Sequence, residues 1–299
     1  MPAAQFITVT DAESGQKLLQ FLERRLTGDV PRSAIQRWIR KGQVRVDKGR
    51  KKPFDRIQSG QIVRIPPYTP GESSATVTTG PLETVYEDDD IIAIAKPAGL
   101  AAHGGDGITD SVMARLRAIH AEADFMPTLP HRLDRDTSGL LLAAKNYAAL
   151  RRLNECFASG GVGKLYLAWV KGRWSAAGTT LLEDQLEKSG MPGEERVRAG
   201  SGKTALAEVT GLIVGQKYSL VAICLITGRT HQIRVQLASR NHPVVGDRKY
   251  GKGNERGAMR LHCSAMHIEG KALSLAPPWT GKWEAPPDTV REALALIQK

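Results

Sequence analysis

One stretch constrains the fold more than any other. His131-Arg132-Leu133-Asp134-Arg135-Asp136-Thr137-Ser138-Gly139 is a dense polar cluster that runs directly into the apolar Leu140-Leu141-Leu142-Ala143-Ala144. A short unbroken apolar run bounded by turn residues reads as a strand buried on both faces, and that requires a sheet covered by other elements on each side. The polar residues before it then form a loop at the sheet's edge. Reactive side chains concentrate in loops held by a rigid scaffold. Asp134 and Asp136 are the candidate nucleophile or general base, since an aspartate beside an arginine is stabilised as the carboxylate.

The flanking sequence supplies that sheet and its cover. Thr84 to Tyr86 and Ile91 to Ala95 read as strands, Val112, Leu116 and Ile119 share a helical face, and Leu150, Leu153 and Phe157 share another before Gly160-Gly161. In Lys164 to Val170 a period of two puts Lys164 and Tyr166 on one face. Trp174 to Gly202 is polar and gives no clear pattern. Further strands are expected over Lys203 to Val209, over Tyr218 to Ile226 and from Leu261. Thr230 is expected to cap a helix through Val235, Leu237 and Ala238, with Arg234 in its first turns, and a last helix covers Val290 to Ile297. Strands with helices interspersed irregularly indicate an α+β class.

Ahead of this lies a smaller unit. Leu18, Leu19, Leu22 and Leu26 fall at helical spacing within Gln16 to Leu26; Ser33 is an expected N-cap for a second helix carrying Ile35, Trp38 and Ile39 and stopped by Gly42. Gln43 to Asp47 and Gln61 to Ile65 alternate as strands. Pro66 to Ser74, rich in Pro, Gly and Ser, reads as a linker, so the expected division is a domain at 1–66, a linker at 67–80 and a second domain at 81–299.

Charge is uneven across that division. Residues 1–66 hold 14 Lys and Arg against 6 Asp and Glu, which is +8 of the chain's +11. A basic surface of this kind suits a polyanion, and Arg32, Arg37, Arg40, Lys41, Lys51 and Lys52 are candidate phosphate contacts. The 3 cysteines are odd in number and show no paired metal spacing, which fits a reducing cytoplasm and no metal site. No apolar run approaches the roughly 18 to 20 residues of a membrane span. No histidine pair has zinc-helix spacing and no serine sits in a nucleophile elbow.

The first unit resembles the S4 RNA-binding domain through Arg32-Ser33, Gly42 and Val44-Arg45-Val46. The second resembles the RluA-type pseudouridine synthases through His131 to Gly139, Lys164-x-Tyr166, Thr227-Gly228-Arg229-Thr230-His231-Gln232-Ile233-Arg234, His242-Pro243-Val244-Val245-Gly246-Asp247 and Leu261-His262. With His103-Gly104-Gly105, it is similar to the RluC-like branch acting on large-subunit (23S) ribosomal RNA; Ala95 stands before Lys96-Pro97 where the family usually has Asn.

The resemblance implies a pseudouridine synthase fold, with a mixed, largely antiparallel central sheet, and isomerisation of uridine to pseudouridine without a cofactor. It implies that Asp134 is the nucleophile, that Arg234 pairs with it, that Tyr166 stacks on the uracil, and that Arg132 enters the RNA stack. His131 and Arg229 are further expected RNA contacts, and Arg229 is the rival partner of Asp134. A monomer without membrane association is expected. An RNA-binding assembly factor and a nucleoside-bond hydrolase are the competing classes.

Overall fold

A computed structural model describes residues 3–26, 30–69, 80–105, 108–189, 196–251 and 257–298. Most of the expected linker, residues 70–79, lies outside the described residues, as does part of the uninformative stretch, 190–195.

The N-terminal unit has a core of its own. Strand β1 (Gln5–Thr8), helices α1 (Leu18–Arg25) and α2 (Arg32–Arg40), and strands β2 (Arg45–Val46) and β3 (Ile62–Ile65) enclose residues such as Phe21, Leu22, Ile35 and Val63. The antiparallel sheet runs β1-β3-β2. Three expectations change here. Ser33 lies inside the first turn of α2 and does not cap it; Pro31 holds the cap position at φ −61°, and its carbonyl accepts from Ala34 and Ile35. The strand expected over Gln43 to Asp47 shrinks to Arg45–Val46, because Asp47 and Lys48 turn the chain at φ 48° and 65°. Gln16, expected at the start of α1, precedes it: buried, with its side-chain amide donating to the Glu13 carbonyl at 2.9 Å.

The second unit is built on one ten-stranded sheet. In chain order its elements are β4 (Glu83–Glu87), β5 (Ile91–Lys96), α3 (Val112–Ile119), β6 (Ser138–Ala144), α4 (Tyr147–Ser159) and β7 (Gly163–Lys171). Then come β8 (Thr179–Ser189), β9 (Arg196–Ala199), β10 (Lys203–Val214), β11 (Tyr218–Leu225), α5 (Gln232–Ser239), β12 (Leu261–Ile268), β13 (Lys271–Ser274) and α6 (Pro287–Ala295). The spatial order is β4-β5-β6-β12-β7-β11-β10-β8-β9, with β13 beside β12. Every pairing is antiparallel except β6 with β12.

Alternation along β7 shows how the sheet is covered. Tyr166, Ala168 and Val170 face the core shared with α3, α4 and α5, while Leu165, Leu167 and Trp169 face the core shared with α6. Strand β6 is buried along its whole length, as its unbroken apolar run requires. Truncating Leu141 there would cost about 2 to 5 kcal/mol. Helix α4 starts with Asn146, whose side chain accepts from the Ala149 amide at 2.8 Å, and stops at Gly160 in the left-handed conformation.

The two units touch. Arg24 of α1 lies over the rings of Phe125 and Tyr147, 5.1 and 5.8 Å from their centroids. Arg25 donates to the Asp124 carbonyl at 3.2 Å.

Candidate active site

The loop carrying Asp134 is pinned at its exit and at its centre. At its exit, Gly139 adopts φ 117° where β6 meets β12, and a Cβ there would run into the Cys263 backbone. Only glycine permits that approach. At its centre, the Arg135 carbonyl accepts from the Gly99 amide at 2.9 Å and from Lys96 Nζ at 3.0 Å. Lys96 also donates to the Pro97 and Leu100 carbonyls, each at 2.8 Å. Burial lowers its pKa to about 8, against the opposing pull of Asp136 and Asp134. Asp136 itself turns outward and pairs with Arg135 at 3.1 Å.

Opposite the loop, Arg234 projects from the first turn of α5. Its Nη1 donates to Asp134 Oδ2 at 2.8 Å, while Nε and Nη2 grip Asp247 at 2.8 and 2.9 Å. A planar guanidinium can bridge two carboxylates in this way; a lysine ammonium cannot reproduce the fork. Burial alone would lower the Arg234 pKa, but the hydrogen bonds and charges of Asp247 and Asp134 outweigh it and raise the value above the usual one. Burial works against the Asp247 carboxylate too; Arg234 and the backbone amides of Tyr250 and Lys249 reverse that and lower its pKa. Asp247 is completely enclosed, whereas Asp134 keeps 19% of its side chain exposed to the cleft.

The cleft in front of Asp134 has a volume of about 430 Å³, within the range of small-ligand sites. Tyr166 and Lys164 line one wall, as the period of two along β7 requires. Burial raises the Tyr166 phenol well above its usual pKa, helped by the hydrogen bond to the Cys263 thiol. Burial pushes the thiol up to about 12, against the pull of Tyr166 and Lys164. Arg132, exposed, lies at the rim among the lining residues.

His131 lines the cleft and is also tied into the fold. Its Nε2 accepts from the Leu142 amide at 3.0 Å and its ring stacks on Phe157 at 4.6 Å, with burial lowering its pKa to about 3. It offers the cleft a neutral ring and no cation. His262, in the same motif set, is also committed: it bonds Ser138 Oγ at 2.8 Å and the Leu275 carbonyl at 3.1 Å.

The approach to α5 departs from expectation. Thr230 does not cap the helix. His231 occupies the cap position at φ 53°, and its side chain makes no cap hydrogen bond. Gln232 ties down the turn instead: its Oε1 accepts from Thr227 Oγ1 at 2.8 Å and from the Arg229 amide at 3.0 Å. Arg229 lines the cleft but donates to the Thr204 carbonyl at 2.9 Å, so Arg234 is the arginine that meets Asp134.

Away from the cleft, Arg37, Arg40, Lys41 and Lys52 are exposed with no ion pair among the described residues. Lys51 is half-buried, and Arg32 pairs with Glu23 at 3.0 Å. Sequence reasoning gave no role to Asp247, Tyr250 or Lys96. Asp247 closes the His242 to Asp247 motif, and a lone acid ending an apolar loop was the available signal.

Comparison with known proteins points to one family. The family described as RNA pseudouridylate synthase matches residues 90–239, which include Asp134, Tyr166 and Arg234. Ribosomal large subunit pseudouridine synthase C of Haemophilus influenzae is 40% identical over 283 residues, 89% of this chain and 87% of that protein. The Escherichia coli protein of the same name is 38% identical over 305 residues, 96% and 94% of the two chains. Among solved structures, human RNA pseudouridylate synthase domain containing 1 is similar, with a TM-score of 0.59 and 25% identity, covering 72% of this chain and 95% of that one. With half its length matched by the family and relatives of this identity aligned along nearly all of it, this chain belongs to the RNA pseudouridylate synthase family.

Proposed function

We propose that this enzyme isomerises uridines of large-subunit ribosomal RNA to pseudouridine, with Asp134 as the nucleophile. The observation that carries the reading is the Asp134–Arg234–Asp247 array at the end of a cleft walled by Tyr166. In the reaction the N1–C1′ bond breaks, the uracil turns, and C5 bonds to C1′; one proton leaves C5 and one is gained at N1. Nothing is oxidised or reduced, so the chemistry calls for no cofactor. Arg234 orients the carboxylate, and Tyr166 is a stacking surface for the uracil that also stands close to the C5 proton. Stacking a base on an aromatic is worth roughly 1 to 3 kcal/mol. Flipping a nucleotide out of its stack costs a few kcal/mol, which Tyr166 offsets inside the cleft while Arg132, at the rim, fills the vacated position.

Asp134→Asn tests this directly. Pseudouridine formation on ribosomal RNA should fall about 10³-fold or more. Wild-type rates in that variant would refute the assignment, and free uracil as the product would point to a hydrolase instead.

The N-terminal unit, on this reading, is an S4-like RNA-binding domain at residues 1–66, joined by a linker at 67–80. Its exposed Arg37, Arg40, Lys41 and Lys52 suit phosphate contacts that fix position without reading bases. Replacing Lys51 and Lys52 together by Ala should flatten the salt dependence of RNA affinity by a slope of about 2. An unchanged slope would remove that pair from the interface. The enzyme works as a monomer in the cytoplasm, where ribosomal RNA is found; among the described residues no helix is long and apolar enough to cross a membrane.

A further inference from the structure

His231 has features that the reading above does not use. It holds a left-handed backbone, φ 53°, which is costly for a residue with a Cβ, and its side chain does not cap the helix it precedes. Strained backbone of this kind persists where the surrounding structure enforces it, often at functional sites. Its ring lines the cleft, and Nε2 lies 3.8 Å from Asp134 Oδ2, the same oxygen that Arg234 holds. That gap is too long for a hydrogen bond. The other ring nitrogen is fixed: Nδ1 is 2.8 Å from Tyr250 Oη, which accepts from the Val197 amide at 3.0 Å.

These contacts choose a tautomer. The Val197 N–H can only donate, so the Tyr250 hydroxyl proton is available to His231 Nδ1. The opposite tautomer would aim a lone pair of Nε2 at a carboxylate. We therefore assign the proton to Nε2. Burial keeps the ring neutral against the attraction of Asp134, and Arg234 and Lys249 act in the same direction as burial.

A donor and a carboxylate 3.8 Å apart can share one oxygen at about 2.8 Å from each, provided that oxygen both accepts and donates. Resting on the reading that Asp134 works at C1′, the choice of group is narrow. The ring oxygen of ribose and the uracil O2 can only accept, and O3′ is esterified within the chain. The 2′-hydroxyl, one carbon from C1′, can do both. We propose that His231 is a further substrate-binding residue of the site, its Nε2–H donating to the 2′-hydroxyl of the target uridine while that hydroxyl donates to Asp134. Tyr250 is the positioning residue behind it. Because the 2′-hydroxyl distinguishes RNA from DNA, this pair selects ribose at the modified position.

The test is a cycle of two substrates and several variants. The substrates are one RNA oligonucleotide carrying either uridine or 2′-deoxyuridine at the target position; single-turnover rate and Kd are measured for each. Wild type should favour the ribonucleotide about 10- to 100-fold, the cost of leaving the donor unpaired. His231→Asn tolerates the left-handed backbone but falls short of the Nε2 position. It should slow the ribonucleotide by a similar factor, leave the deoxynucleotide nearly unchanged, and so abolish the preference. His231→Gln, whose amide reaches further, should restore part of it. Should His231→Asn fail to fold, Tyr250→Phe supplies the same reading through partial loss of preference. Equal slowing of both substrates, with the preference intact, would overturn the proposal and make His231 merely structural. Asp134→Asn run beside them separates the two readings: an active Asp134→Asn overturns the nucleophile, whereas an inactive one with an intact preference in His231→Asn overturns only the ribose contact.

Discussion

Two buried cations flank the Asp134 loop and are stabilised in opposite ways. Lys96 on β5 is 1% exposed and is met by three backbone carbonyls, those of Pro97, Leu100 and Arg135. Arg234 on α5 is 6% exposed and is met by two carboxylates. Carbonyl dipoles return only part of the hydration that an ammonium loses, and burial lowers the Lys96 pKa to about 8. Full opposite charges do more, and the Arg234 pKa rises. Lys96 thus tethers the loop backbone at Arg135, while Arg234 orients the side chain of Asp134. The backbone anchor needs donors in a fixed place; the Asp134 carboxylate is met by a guanidinium, whose charge persists at every working pH.

The largest expected effect comes from removing the charge behind Arg234. Asp247→Ala takes away both of its Asp247 bonds and the acceptor for the Lys249 and Tyr250 amides. Breaking a buried pair in this way should cost about 3 to 5 kcal/mol, read as a fall in the urea midpoint at unchanged m. A loss below about 1 kcal/mol would mean that Asp134 alone suffices to hold the guanidinium. Arg234→Lys comes next. A lysine can meet one carboxylate but cannot bridge both in the same geometry, so kcat should drop about 10²-fold with RNA affinity nearly unchanged. Retained kcat would show that the fork is dispensable.

The last effect, spread over a range of pH, concerns Lys96. Its folded pKa, about 8, lies below the usual 10.5, so between those values the unfolded chain binds more protons than the native one. Stability should therefore rise with pH across that window, by at most about 3 kcal/mol. In Lys96→Met this rise should be absent. Unfolding curves of the two proteins from pH 8 to 10.5 compare them; parallel curves would mean that the carbonyls compensate the ammonium fully.

Much of the scaffold was legible because periodicity reports burial. The apolar run after Gly139 became the enclosed β6, the helical spacing of Leu150, Leu153 and Phe157 became α4, and the alternation from Lys164 put both Lys164 and Tyr166 in the cleft. Caps were less legible. Ser33 and Thr230 have the right chemistry, but Pro31 and His231 hold those positions. Strands β1, β8, β9 and β13 passed unseen: they are short or lie toward the sheet's outer edge, where exposed polar residues replace the apolar pattern.

The sequence by itself determined which groups are available: an aspartate next to a buried strand, a tyrosine on a neighbouring face, and two arginines five positions apart near the start of a helix. Which arginine reaches the aspartate was decided only in three dimensions. Arg229 lies before α5 and bonds to the Thr204 carbonyl, while Arg234, one turn further along, points at Asp134 across 100 residues of chain. The same packing brought Asp247, Tyr250 and Lys96 into the site. Periodicity is a local property read within one element, whereas an ion pair depends on the order in which strands meet and on the pitch of the helix above them.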